Sequence, residues 1–415
     1  MRYPNSQRRK SGGDSDRVLR KRLPSASTVT VPLQPAETST ETVETLQVLL
    51  PTPPQPPPTV AFPLGWLLDH AALPLSYRAA TDVVRLPDPM LQAMSWLPYA
   101  HPPAIRLAVT QRNDGSWNGT MLGVPADGAG MSGVGMIPGL RRMLEYGWDR
   151  ESPPLLRARR LLFRLLAEDN DPAYLFEFAA ETGTDEDLIH RARVILREAA
   201  AATLAQAGYE RDPRLRGAAM RLLDRVSDYL RSPLAQRPWV RVGNRQVLSA
   251  DAAPPSIYLL TMLAHMPLFC AEYAESLDRI YDGVSQTMPR QESVQLVGDH
   301  MVEQPHLVLG DPLPHRNAAD ADVPAAIMWL ELMTRLNFLR RAEHWQKLLD
   351  RFLDDRDRQG VWHPHKGKER PTTTNPFVWP MFPLDQETGG GHDWTDITFR
   401  IGLIARLAGH PIDPE

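Results

Sequence analysis

Gln111-Arg112-Asn113-Asp114-Gly115-Ser116-Trp117, followed by Asn118-Gly119, is the stretch whose reading decides the fold. Asn-Asp-Gly specifies a tight turn with its left-handed position at Gly115. Trp117 is placed to lie across the start of the next helix, and Gln111 to bond backbone amides exposed there. A related order stands at Arg356-Asp357-Arg358-Gln359-Gly360-Val361-Trp362, where Gly360 and Trp362 keep register and Arg356 replaces Gln111. Two such turns, 245 positions apart (356 minus 111), imply one repeated architecture over most of the chain.

Outward from these turns the apolar residues recur at helical spacing. From Ser152 to Leu166 they fall at 155, 158, 162, 165 and 166, with Ser152 as expected N-cap and Pro153 in the first turn. Thr184-Asp185-Glu186-Asp187 offers a cap and acids suited to the positive helix end, and Gly208 closes that segment. Asp212-Pro213 opens a third, with Leu215, Leu222, Leu223, Val226 and Leu230 on its inner side. Further helices are expected over 63–72, 75–84, 88–97, 102–111, 133–146, 255–287, 323–353 and 395–408. No alternating run is long enough for a sheet core, although Trp239 to Leu248 suits a short hairpin. The expected class is all-α, medium helices joined by Pro/Gly-rich turns.

Proline supports that reading. The 415 residues hold 40 prolines, about twice the usual ~5%. Ten lie in residues 1–60, which contain no Trp or Phe and end in Pro51-Thr52-Pro53-Pro54-Gln55-Pro56-Pro57-Pro58. Such a segment cannot bury enough apolar surface to offset its ordering entropy, so 1–60 is expected to be a disordered tail and 61–415 the folded domain. Eight Lys/Arg against Asp14 and Asp16 give residues 1–22 a balance of +6, which reads first as a solvated tail and otherwise as suited to peripheral contact with anionic membrane lipid. Net charge over the whole chain is −4, so nothing points to nucleic acid. With one cysteine, no spanning apolar run and no secretory signal pattern, the expected compartment is the cytoplasm.

The Gln-x-x-x-Gly-x-Trp order of Gln111, Gly115 and Trp117, with its partial copy at Gly360 and Trp362, resembles the QW repeat of squalene cyclases and prenyltransferase-type α/α toroids. Gly65 to His70, Leu144 to Trp148 and Phe399 to Gly409 look like helix ends of the same kind. The resemblance implies an α/α toroid of stacked helix hairpins around a central apolar cavity for a polyprenyl or other lipidic ligand. It also implies acid-initiated cyclisation, an isomerase chemistry, by an Asp held neutral through burial. Asp320-Ala321-Asp322-Val323 looks like the family's Asp-x-Asp-Asp, with Asp322 at the acid's position, Asp320 its partner and Val323 replacing the final Asp. Capping the following helix, whose first turn holds Pro324, is the bland alternative for both acids.

Trp329 follows Asp322 by seven residues, two helical turns, and so faces the same way. Trp379, Phe382 and Trp394 stand in loops where a cavity mouth would be, their faces suited to passing cations. Asp354-Asp355-Arg356-Asp357 lacks the spacing of a diphosphate-Mg²⁺ motif, and Gly128 to Gly135 follows no strand, so neither implies a phosphate ligand. Cys270, in an apolar helical face, reads as core packing. His363, His365, His392 and Asp393 carry zinc-ligand chemistry but sit in two exposed loops; no metal and no cofactor are expected. Two other functions fit the helices: a non-catalytic repeat scaffold for protein partners, and a carbohydrate-active α/α barrel with two facing carboxylates about 5 to 9.5 Å apart.

Overall fold

The computed structural model describes residues 57–126, 130–167, 182–364, 373–385 and 394–415. The basic and Pro-rich segment up to residue 56 lies outside the described residues, as do His365, His392 and Asp393.

Helices dominate, and their ends follow the local chemistry. The longer ones are α1 (Leu64–His70), α2 (Leu73–Arg78, continued by a π turn over Ala79–Val84), α3 (Asp88–Met94), α4 (Pro102–Thr110), α5 (Met136–Glu145), α6 (Pro153–Ala167), α7 (Glu186–Gln206), α8 (Pro213–Arg231), α9 (Ile257–Ala264), α10 (Ala274–Val284), α11 (Val323–Arg335), α12 (Glu343–Asp354) and α13 (Thr395–Ala408). The Asp185 carboxylate caps α7 by accepting from the amides of Asp187 and Leu188, both at 3.0 Å. Asp212 caps α8 through the Arg214 amide at 2.9 Å, and Gly208 stops α7 at φ 80°. Ser152 departs from expectation: its carbonyl starts α6, while its buried hydroxyl finds no partner. The apolar stretch 255–287 is three helices rather than one, broken at Pro267, where the ring forbids an internal hydrogen bond.

α2 and its π turn lie against α13, α13 against α11, α11 against α9, α9 against α7, and α7 against α5. Arg78 at the end of α2 then bonds Glu145 at the end of α5. α6 and α8 pack on each other and on this run, α10 packs on α8, and α12 packs on α13. Closest of all are α7 and α9, because Ala199, Ala200, Ala201 and Ala202 carry side chains too small to hold the backbones apart.

The all-α expectation needs correction, because two small sheets are present. β1 (Val60–Phe62) pairs in parallel with β6 (Ile412–Pro414). β2 (Trp239–Val242), β3 (Arg245–Leu248), β4 (Val294–Val297) and β5 (His300–Glu303) form a sheet in that order. The β2–β3 hairpin is the one the sequence suggests. The β4–β5 hairpin is not, although Gly298-Asp299 is a two-residue hairpin loop, with Gly298 at φ 56°.

Both tight turns form, with one hydrogen-bond pattern. The amide of Arg112 donates to the Ser116 carbonyl (2.9 Å) and that of Gly115 to Arg112 (2.9 Å); Asp357 and Gly360 repeat this at 2.8 and 3.0 Å. Gly115 and Gly360 have φ 92° and 80°. Trp117 is buried against Gly139 at the start of α5 and donates its indole N–H to the Leu107 carbonyl at 2.7 Å. Gln111 acts opposite to expectation, donating its amide to the carbonyls of Gly115 (3.1 Å) and Pro154 (2.8 Å). That explains the second turn's departure: Arg356, also a donor, reaches the carbonyls of Leu353 (2.9 Å) and Ala61 (2.7 Å).

Candidate functional site

Asp322 and Trp329 do line one cavity, of about 360 Å³, at the N-terminal ends of α9 and α11. Its walls are mostly apolar, including Ile257, Leu307, Leu313, Met328 and Phe377. Trp329 is held edge-on by Trp345, with ring centroids 6.1 Å apart, and Phe377 meets Tyr258 edge-on at 5.5 Å.

The polar groups of this cavity are few. His306 lines it and is almost wholly buried. Arg191 Nη2 stands 3.1 Å from its Nε2. A guanidinium only donates, so Nε2 accepts and the neutral ring carries its proton on Nδ1. Burial first, then the charges of Arg191 and Arg225, push the imidazole down to about 3. The described residues offer Nδ1 no acceptor. Nor do they offer one to the buried indole N–H of Trp329, which is 3% exposed.

Asp322 is the only carboxylate in that wall. It is exposed, and its Oδ1 accepts from the Ala325 amide at 3.0 Å as the cap of α11. An exposed helix cap lacks the burial expected of an alkene-protonating acid. Asp320 is also exposed and pairs with Arg351 at 2.6 Å instead of with Asp322. Of the four aromatics expected around a ligand, Trp329 alone lines the cavity. Trp379 is buried under the Arg142 guanidinium, 4.7 Å from its ring centroid. Phe382 is buried in the core, and Trp394 meets Trp362 edge-on at 5.7 Å.

Sequence reasoning missed a buried charge network where α2, α5, α11 and α13 meet. Glu145 accepts from Arg78 at 2.5 Å, Arg400 at 2.6 Å and Gln206 at 2.6 Å. Glu331 accepts from the other arm of Arg400 at 3.1 Å and from Arg335 at 2.9 Å. Arg142, with 0% exposure, donates to the carbonyls of Trp379 and Pro383 and to the Tyr146 hydroxyl. Burial would raise the Glu145 carboxyl, but Arg400 and Arg78 outweigh it and hold it below the usual range. Glu331 is depressed likewise against its burial, by Arg335 and then Arg400. His265 is pushed down to about 4 by burial and Arg335, and His101 to about 4 by burial, Arg142 and Arg106.

This network does not supply the facing pair of a glycosidase. Both carboxylates are buried and tied to one guanidinium rather than facing each other across a cleft as free acid and base. His363 pairs with Asp357 at 2.9 Å. Cys270 donates to the Leu263 carbonyl at 3.3 Å, and burial raises its thiol to about 12, as suits a packing residue. No described helix is long and apolar enough to cross a membrane. Comparison of the chain with protein families, curated proteins and solved structures gave no match.

Proposed function

We propose that the helices close into an α/α toroid, and that this toroid binds a lipidic or isoprenoid small molecule in the cavity at the N-terminal ends of α9 and α11. Supporting the toroid, α2, α13, α11, α9, α7 and α5 pack in sequence, and the Arg78–Glu145 bond joins first to last. Two turns of one hydrogen-bond pattern stand far apart in the chain, as a repeat requires. The observation that carries the function is the cavity itself: apolar walls, two aromatic faces and few polar groups are the makeup of a small-molecule site.

The activity proposed is binding rather than acid-initiated cyclisation, because the one carboxylate in the wall is a solvated helix cap. Farnesol, geranylgeraniol and squalene are suitable probes. Saturable binding of at least one is expected, and Ala325→Trp, which fills the cavity from a half-buried position on α11, is expected to weaken it at least tenfold at unchanged Tm. No saturable binding of any probe, or equal binding by the variant, would refute the proposal.

A further inference from the structure

Among the described residues, two N–H donors on side chains that line the cavity have no acceptor. The Trp329 indole nitrogen is buried with no hydrogen-bond partner, although Trp329 lines the space. Trp117, equally buried, spends the same group on the Leu107 carbonyl at 2.7 Å. His306 has the mirrored problem: Arg191 occupies its Nε2, which leaves Nδ1–H as a donor. Gln304 extends the pattern behind it, its Oε1 taking two bonds from Arg191 at 3.1 and 2.9 Å, which fixes that guanidinium on His306.

A buried donor left unpaired is costly, and native chains avoid the cost unless a water or a ligand supplies the acceptor. The walls around these donors are hydrocarbon, the setting in which one oxygen decides orientation and specificity. Asp322 at the same wall repels a second carboxylate, while the Arg191 guanidinium behind His306 spends its donors on His306 Nε2 and Gln304 Oε1.

Resting on the binding reading above, we infer that the ligand is a neutral apolar molecule bearing an acceptor oxygen, a ketone, aldehyde, ester or ether, which takes the N–H groups of Trp329 and His306. A bare hydrocarbon fills the same space and leaves both donors unmet. A carboxylate meets them but faces Asp322.

Three probes of one chain length separate these cases: 2-nonanone, nonane and nonanoate, the first two followed by headspace partitioning and the third by calorimetry. The ketone is expected to bind about tenfold or more tightly than nonane, the ratio one buried hydrogen bond supplies, and more tightly than nonanoate. Trp329→Phe is expected to shrink the ketone-to-alkane ratio several-fold. A ¹⁵N spectrum of the unmutated protein gives a readout free of folding effects: the Trp329 indole N–H resonance, assigned by its loss in the variant, shifts downfield with the ketone and not with nonane. Equal ketone and alkane binding, tighter nonanoate binding, or an indole resonance unmoved by the ketone would overturn the inference and leave the binding site standing. If none of the three probes binds, the site itself is refuted.

Discussion

Glu145→Gln is the sharpest test of what holds the helix ends together. The substitution keeps the shape of the side chain and removes its charge, so Arg78 and Arg400 lose the carboxylate they share at 2.5 and 2.6 Å. Arg78 retains Asp82 at 2.8 Å and Arg400 retains Glu331 at 3.1 Å, so neither cation is wholly stranded. Breaking a buried pair from one side costs about 3 to 5 kcal/mol, a large share of the ~5 to 15 kcal/mol of a typical fold. At about 2 °C per kcal/mol for a large domain, Tm should fall by roughly 6 to 10 °C. Urea unfolding followed by far-UV circular dichroism reads the same loss as a lowered midpoint. The reasoning also fixes a second-site result: adding Arg400→Met, which removes one of the cations left short, should restore part of the loss. A midpoint unchanged within about 1 kcal/mol, or a double variant weaker than the sum of the singles, would refute a network held by charge.

Three further outcomes follow. Gly115→Ala should cost about 2 to 4 kcal/mol, since φ is 92° and the new methyl would lie 2.9 Å from the Arg157 backbone. Gly133→Ala, at φ 80° with nothing within 4 Å, should cost only about 1 kcal/mol, and equal losses in urea titrations would remove the docked turn as the cause. Gly402→Ala should destabilise by about 1 to 3 kcal/mol, because its methyl would meet the Phe62 ring at 2.2 Å; a wild-type midpoint would show that β1 is loosely held. Stability should depend on pH in the direction set by His101, His265 and His306, all depressed from 6.5 to between about 3 and 4. The unfolded chain then binds more protons between those limits, so their contribution is complete above about pH 6.5 and falls with acidification by up to ~1.4 kcal/mol per pH unit each. The urea midpoint should be level from pH 7 to 8 and drop from pH 6 to 4, and a level midpoint down to pH 4 would contradict the buried neutral rings.

How far the fold was legible depended on whether its cause was local. The turns at Gly115 and Gly360 and the caps at Asp212 and Asp322 are settled by a few neighbouring residues and stand where the sequence placed them, whereas the cap expected at Thr184 falls one residue later, at Asp185. The β4–β5 hairpin was equally local and was hidden by the helical periodicity on either side. The charge network carried half a signal. Glu331 sits in Trp329-Leu330-Glu331-Leu332-Met333 and Arg400 in Phe399-Arg400-Ile401, single charges inside apolar helical runs, which are rarely buried unless paired. Their pairing was not readable, since Arg400 reaches Glu145 across 255 positions and no spacing rule spans that distance.

The site divides along the same line, and the division bears on its chemistry. Asp322 and Trp329 share a wall because seven residues of helix put them there, whatever the rest of the chain does. His306 and Phe377 reach that wall on loops, so the donor set could not be assembled from sequence. Helix geometry therefore supplied the carboxylate that looked catalytic, and tertiary structure decided what it is: a residue at the first position before α11 is spent on capping, since the amide of Ala325 needs an acceptor. The groups with unmet bonding capacity are instead the Trp329 indole and the His306 Nδ1–H, both donors. A site whose unmet groups are donors, and whose one acid caps a helix in solvent, supports the proposed reading of a bound acceptor oxygen over proton transfer to an alkene.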